Sequence, residues 1–518
     1  MRKIEEVLKM ENMDELSSED ALQAIAQLVD YALDHGDPDM TSRALLWSEQ
    51  LAPRLVSEQQ RVLLDYYRAN AWANRQSALR LDRAAVWAWD QEELQQQVFL
   101  LRRALNSPAF EELDDLHKCQ ILTNLANQLD TIGRFIEARE LWSRALSVLP
   151  VFWMARANRG RSLMYYSHVL YDSGHAAVFA LEAHKDITTS LEHIAQYPQL
   201  GDRAVQDIFS DAAREIERHF DLDVIASNYQ PDKYPLAEDA AERVYREWCL
   251  HEHLFLNPLN DLGPHSIAAR DVLTLPSFVT ALNEHPVVVG FFNQLKQEYV
   301  SARWLYFEGI TADETHLSDL EVLQYDTLDY TALGLGVEQV KLAFRMAYSL
   351  LDKIAYFLNH YLQLGIPEKR ISFRHVWREK ETGPVRPEFS ISENWPFRGL
   401  YWLSKDLFEA DFKGVLEPDA RALHELRNHL EHKYVKMHSM MVPVRPVDLF
   451  HDNLAHAVSR DDLEQRTLRI LKLARSALIY LSLGMHVEEG RRQASGDADC
   501  RIGSMPLHAM DDEFKRRW

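Results

Sequence analysis

ILTNLANQLDTIGRFIEARELWSRALSVLP, residues 121–150, decides the architecture of the N-terminal half of the chain. Leu122, Leu125, Ala126 and Leu129 recur three and four apart, the spacing that gathers apolar groups on one face of an α-helix. After a break at Gly133 the pattern resumes with Ala138, Trp142 and Ala145, and Pro150 ends it. Small side chains at Ala126, Ala138 and Ala145 let two antiparallel helices approach closely, and Gly133 suits the turn between them.

In this phase the stretch resembles a tetratricopeptide repeat. LLDYYRANAWAN (63–74) resembles the first helix of an earlier repeat, and ARANRGRSLMYYSHVLYDSG (155–174) that of a following one. One repeat cannot bury its apolar face alone, so about three to five are expected over residues 1–225. An irregular helical bundle is the alternative.

From 226 to 336, NYQPDKYPL, LFLNPLNDLGPH and LTLPSF supply turns between shorter apolar segments, and the span reads as a connecting region. Helix periodicity returns from Val337 to Leu364 and stops at Gly365 and Pro367. ISFRHVWREKETGPVRPEFSISENWP follows as an irregular excursion, then helical segments at Phe397 to Phe408, Ala420 to Met437 and Asp461 to Leu483. Four helices with one long crossover, over residues 337–485, make a bundle. Residues 486–518 read as a loose tail rich in Gly, Arg and Asp. The expected fold class is all-α.

Chemistry concentrates in ALHELRNHLEHKYVKMH, residues 422–438. Arg427 and His432 stand five apart, a spacing found also at Arg214/His219, Arg246/His251 and Arg370/His375; only Arg427 is followed by Asn, at Asn428. With its place on a late helix and with LLDKIAYFLNHYL in the long helix before it, this segment resembles the HEPN ribonuclease motif. WCLHEHLFLNPLNDLG, AARDVLTLP and WPFRGLYWLSKDLF resemble a bacterial branch in which HEPN follows tetratricopeptide-like repeats.

The resemblance implies a metal-independent endoribonuclease, acting as a toxin or antiviral defence effector, with Arg427, Asn428 and His432 catalytic. Asp352 and Glu431 stand as supporting residues. The repeats are then the place for a protein trigger or antitoxin. The other reading is a noncatalytic HEPN-like dimerisation or nucleotide-binding module on a repeat scaffold.

An α-helix turns about 100° per residue, so Arg427 and His432 point about 140° apart while Asn428 and His432 share a face. Two copies meeting about a twofold axis would surround one phosphate with two Arg and two His, so a homodimer is expected. Histidine can take and return protons near neutrality, and arginine offers a bidentate fork to a phosphate. An ordinary ion pair of Arg427 with Glu431, one turn away, is the alternative.

The 518 residues carry 57 Lys plus Arg against 79 Asp plus Glu, a net charge of −22, so any RNA must be met locally, not by nonspecific attraction. Cys119, Cys249 and Cys500 lie far apart, which suggests neither a disulfide framework nor a thiolate zinc site. His424 and His429 are five apart where a zincin helix needs four, and His251-Glu252-His253 reads as part of a turn. Neither GxxxxGK[ST] nor GxGxxG occurs, so no nucleotide cofactor is expected, and no metal. Without a secretory leader or an apolar run of about 20 residues, the expectation is a cytoplasmic protein, off the membrane.

Overall fold

The computed structural model describes residues 4–77, 82–201, 203–280, 284–322, 331–380, 383–408, 418–432, 434–438, 454–495, 503, 505–507 and 515; of these, the side chains of 84, 203, 418–422, 424, 432 and 495 lie outside the description. Among the described residues the structure is 73% helical with one three-stranded sheet, which makes it all-α.

Local signals start the N-terminal helices. Ser17 caps α1 (Ser18–His35), Asp37 caps α2 (Pro38–Leu51), and α3 (Glu58–Ser77) and α4 (Glu92–Asn106) follow. Asp114 caps α5 (Asp115–Thr131) by accepting from the His117 amide at 3.0 Å. Gly133 then takes φ +87° and the chain reverses into α6 (Phe135–Val148). These two helices pack together, and Ala126, Ala138 and Ala145 on them are all fully buried. A second hairpin, α7 (Trp153–Val169) with α8 (Ser173–Gln196), packs onto α6, and α9 (Gln206–His219) packs onto α8.

After α10 (Ala240–His251), the C-terminal part is built on three long helices: α11 (Val287–Thr311), α12 (Leu335–Tyr361) and α15 (Arg460–Ser495). Here α11 runs against α12 and α15 packs on both, while α13 (Trp395–Phe408) lies on α15. The shorter α14 (Pro418–His432) rests on α12 and α13 through Leu423 and Leu426, both fully buried. Strand β1 (Thr331–Ala332) pairs antiparallel with β2 (Tyr434–His438), which pairs parallel with β3 (Ala455–Ser459).

Several expectations need correction. The helix expected from Ala420 to Met437 ends at His432, and Tyr434–His438 is strand β2, with Val435 and Met437 buried on alternate positions between two partner strands. The helix expected to stop at Leu483 continues to Ser495, because Glu488 and Glu489 remain buried and pair with Arg491 and Arg492. The span read as a connecting region contains α11, whose β-branched and aromatic run hid its helical period. By composition α15 could cross a bilayer, yet 83% of its apolar window is buried in the protein, as in a core helix.

The bundle is also not separate from the helices before it. Among the described residues one core runs from Val62 to Met485, and a smaller cluster, from Val7 to Ala71, lies apart. Gly133 meets Gly399 of α13 so closely that a β-carbon on either would overlap the other's backbone. Trp395 Nε1 donates to the Asp130 carbonyl at 2.6 Å, and the Ile136 amide donates to the Tyr480 hydroxyl at 3.2 Å. Asp406, buried on α13, pairs with Arg102 at 2.8 Å and with Arg134.

Candidate active site

Apolar anchoring of α14 leaves Arg427 and Asn428 half-buried, with Arg427 against α12. The Arg427 guanidinium lies over the ring of Tyr348, 5.6 Å from its centroid, a cation–π arrangement. Its Nη1 is 3.5 Å from the Asn428 Oδ1. Among the described residues Arg427 forms no ion pair with a carboxylate.

Glu431 is paired instead with Arg345 of α12, Nε to Oε1 at 3.1 Å, which sets aside the ordinary one-turn pair between Arg427 and Glu431. A guanidinium seated on an aromatic face and not neutralised by a neighbour keeps its edge N–H groups for an incoming anion.

Tyr348 is buried, and burial pushes its phenol above the ordinary range, with Arg427 opposing and Asp352 adding. Asp352 stands one turn further along α12 on the same face. Its Oδ1 accepts from the Phe373 amide at 3.0 Å, so the carboxylate fastens the excursion after α12 to that helix. Among the described residues it makes no hydrogen bond to Arg427 or Asn428, so its place is beside the site, under the excursion.

His432 is the last residue of α14, and its side chain lies outside the described residues. Arg427 is thus set against α12 with Asn428 beside it, and Glu431 is tied to the same helix. His429, the neighbour of Asn428, places Nδ1 2.6 Å from the Glu425 carbonyl and stacks on His456 of β3, centroids 4.6 Å apart. Burial lowers the His456 pKa, with His429 and Arg466 adding to the effect.

Sequence reasoning missed Tyr348, Arg345 and His456. Tyr348 has a retrospective signal, since it sits four residues before Asp352. His456 has none, because its contact with His429 depends on the β2–β3 pairing.

Residues 279–488 match the family model described as LA2681-like HEPN. No curated protein and no solved structure matches the chain. The match begins ahead of α11 and takes in α12, α13, α14 and most of α15, the helices that seat Arg427 and Asn428. The C-terminal part of this chain is a HEPN domain and belongs to the HEPN superfamily.

Proposed function

We propose that the chain is a metal-independent endoribonuclease, a cytoplasmic toxin or defence effector, whose tetratricopeptide-like N-terminal helices receive a protein trigger or antitoxin. The observation that carries the catalytic reading is Arg427, half-buried on the Tyr348 ring with no carboxylate partner among the described residues, within a HEPN domain.

In this reading one His432 takes the proton of the ribose 2′-hydroxyl as that oxygen attacks the adjacent phosphorus. A second His432 returns a proton to the departing 5′-oxygen, and Arg427 stabilises the charge on the phosphorane. Because Arg427 and His432 point about 140° apart on one helix, the two histidines come from two copies of the chain, with their α14 helices facing each other.

Incubation of purified protein with total RNA in EDTA, comparing wild type with His432→Ala, tests the reading. Cleavage by the wild type alone is expected. Cleavage by neither moves the assignment to a noncatalytic module, and cleavage by both shows that His432 does not carry the reaction. Light scattering at micromolar concentration should report a dimer, and a fully active monomer would remove the shared site.

A further inference from the structure

A chain of net charge −22 must offer RNA a local basic surface, and the HEPN domain contains one outside the Arg427 site. The excursion between α12 and α13 folds back to line an open cavity of about 1120 Å³. Among the described residues, seven that line it are Lys or Arg, against one acidic residue, Glu379. Lys369, Arg370 and Lys380 are exposed, and with Arg386 they form no ion pair with a carboxylate among the described residues. Lys405 of α13 and Arg378 of the excursion are both held by Asp90, at 2.5 and 2.6 Å.

One wall of the cavity adjoins the packing under the candidate catalytic residues. Phe408 lines it and meets the Tyr348 ring edge-on at 6.4 Å, and Arg427 lies over that same ring at 5.6 Å. Asp352 ties the excursion down beside Tyr348 through the Phe373 amide. Trp377 and Tyr401 in the wall are buried, so they offer no open face for base stacking. The accessible chemistry is therefore cationic, suited to phosphates and indifferent to base identity.

We propose that this cleft binds the phosphodiester backbone of single-stranded RNA and leads the strand to Arg427. The proposal deepens the ribonuclease reading and rests on it for the identity of the strand. Cleavage by 2′-hydroxyl attack needs a ribose free to bring that oxygen in line with the leaving group, which a single strand allows and a rigid duplex resists.

The test uses the full chain carrying His432→Ala, so that the probe survives, and reads the anisotropy of a short fluorescent oligouridylate between about 50 and 200 mM salt. Combining Lys369→Glu, Arg370→Glu and Lys380→Glu should weaken binding at least tenfold. The corresponding Gln triple should weaken it less, and should reduce the salt slope by about 2, since each single-strand phosphate contact contributes about 0.7. Three reversals on exposed array positions, Lys185→Glu, Arg214→Glu and Arg218→Glu, form the charge-matched control and should leave affinity near that of the parent.

Equal loss in the control, unchanged binding in the cleft variants, or displacement of the RNA by ATP or inorganic phosphate at matched phosphate concentration would overturn the cleft. Cleavage by the His432-containing protein is scored separately. Binding that needs the cleft in a chain that cleaves nothing upholds the cleft and defeats the ribonuclease reading, and cleavage with cleft-independent binding does the reverse.

Discussion

The Arg427 guanidinium rests on the face of Tyr348, joining the short helix α14 to the long helix α12. Tyr348 is itself packed against Phe344 and Phe408, so the platform under the arginine is rigid. A platform of this kind holds a long, flexible cation in one place without neutralising it, which a carboxylate partner would do.

Replacing the ring should therefore cost turnover more than substrate affinity. Tyr348→Leu is expected to lower kcat by about 3- to 30-fold, the worth of a partly desolvated cation–π contact, with KM nearly unchanged. Tyr348→Phe keeps the face and should retain activity, with stability within about 1 kcal/mol of the parent, because the hydroxyl has no protein hydrogen-bond partner among the described residues. Steady-state RNA cleavage and urea denaturation of both variants check this. A Phe variant as impaired as the Leu variant would show that the hydroxyl, and not the ring, matters.

Asp406 supplies a prediction about stability. It is buried where α13 meets the N-terminal helices, and it neutralises Arg102 and Arg134, themselves buried. Asp406→Ala removes the carboxylate that Arg102 and Arg134 share in a dry interface, though Arg134 keeps Glu137, and should destabilise the protein by about 3 kcal/mol. The exposed Arg214–Asp211 pair should yield under about 1 kcal/mol on Asp211→Ala. Because one core spans both parts, urea should unfold residues from Val62 onward in a single transition. Two well-separated transitions, only one of them moved by Asp406→Ala, would contradict that.

The parts legible in the sequence are those whose signals are local. Ala126, Ala138, Ala145 and the turn at Gly133 lie within 25 residues of one another, and helical periodicity ties them together. Arg427 and Asn428 were readable for the same reason, as neighbours on one helix in a recurring motif. Strand β2 was not, since Tyr434 to His438 continues a helical-looking run and its partners lie at Thr331 and Ala455. Long-range pairs such as Arg345 with Glu431, or Asp406 with Arg134, have no spacing to betray them. The cleft escaped notice because Lys369, Arg370, Lys380 and Arg386 look like an ordinary polar loop until the excursion folds against α13.

His253 gives a pH dependence. It adopts φ +56° in a turn, with Nδ1 2.6 Å from the Asn260 carbonyl, and burial followed by the Arg139 guanidinium lowers its pKa to about 4. Between the ordinary value of 6.5 and about 4, the unfolded chain binds a proton that the folded chain refuses. The resulting stability is complete above pH 6.5 and is lost as pH falls through that window. His253→Asn, which tolerates the left-handed backbone, should remove about 1–3 kcal/mol of the decline between those limits. Urea midpoints across the window provide the measurement, and parallel curves for both proteins would sink the assignment.

The chemistry itself makes the sharpest prediction. If His432 moves protons and Arg427 holds the phosphorane, cleavage proceeds in EDTA and leaves a 2′,3′-cyclic phosphate and a 5′-hydroxyl, because the attacking oxygen belongs to the substrate and not to water. His432→Ala should cost on the order of 100-fold or more, the range for a lost general acid or base. Arg427→Ala should cost comparably, and Arg427→Lys should recover only part, since a point charge cannot reproduce the bidentate fork. His219→Ala and His251→Ala share the five-residue spacing from an arginine, but each ring caps a carbonyl of its own helix at 2.8 Å, so both should cleave like the parent. Product ends are read on a labelled RNA for all variants. Linear 3′-phosphate or 3′-hydroxyl ends formed directly, or an active His432→Ala protein, would show that the strand is broken by another route.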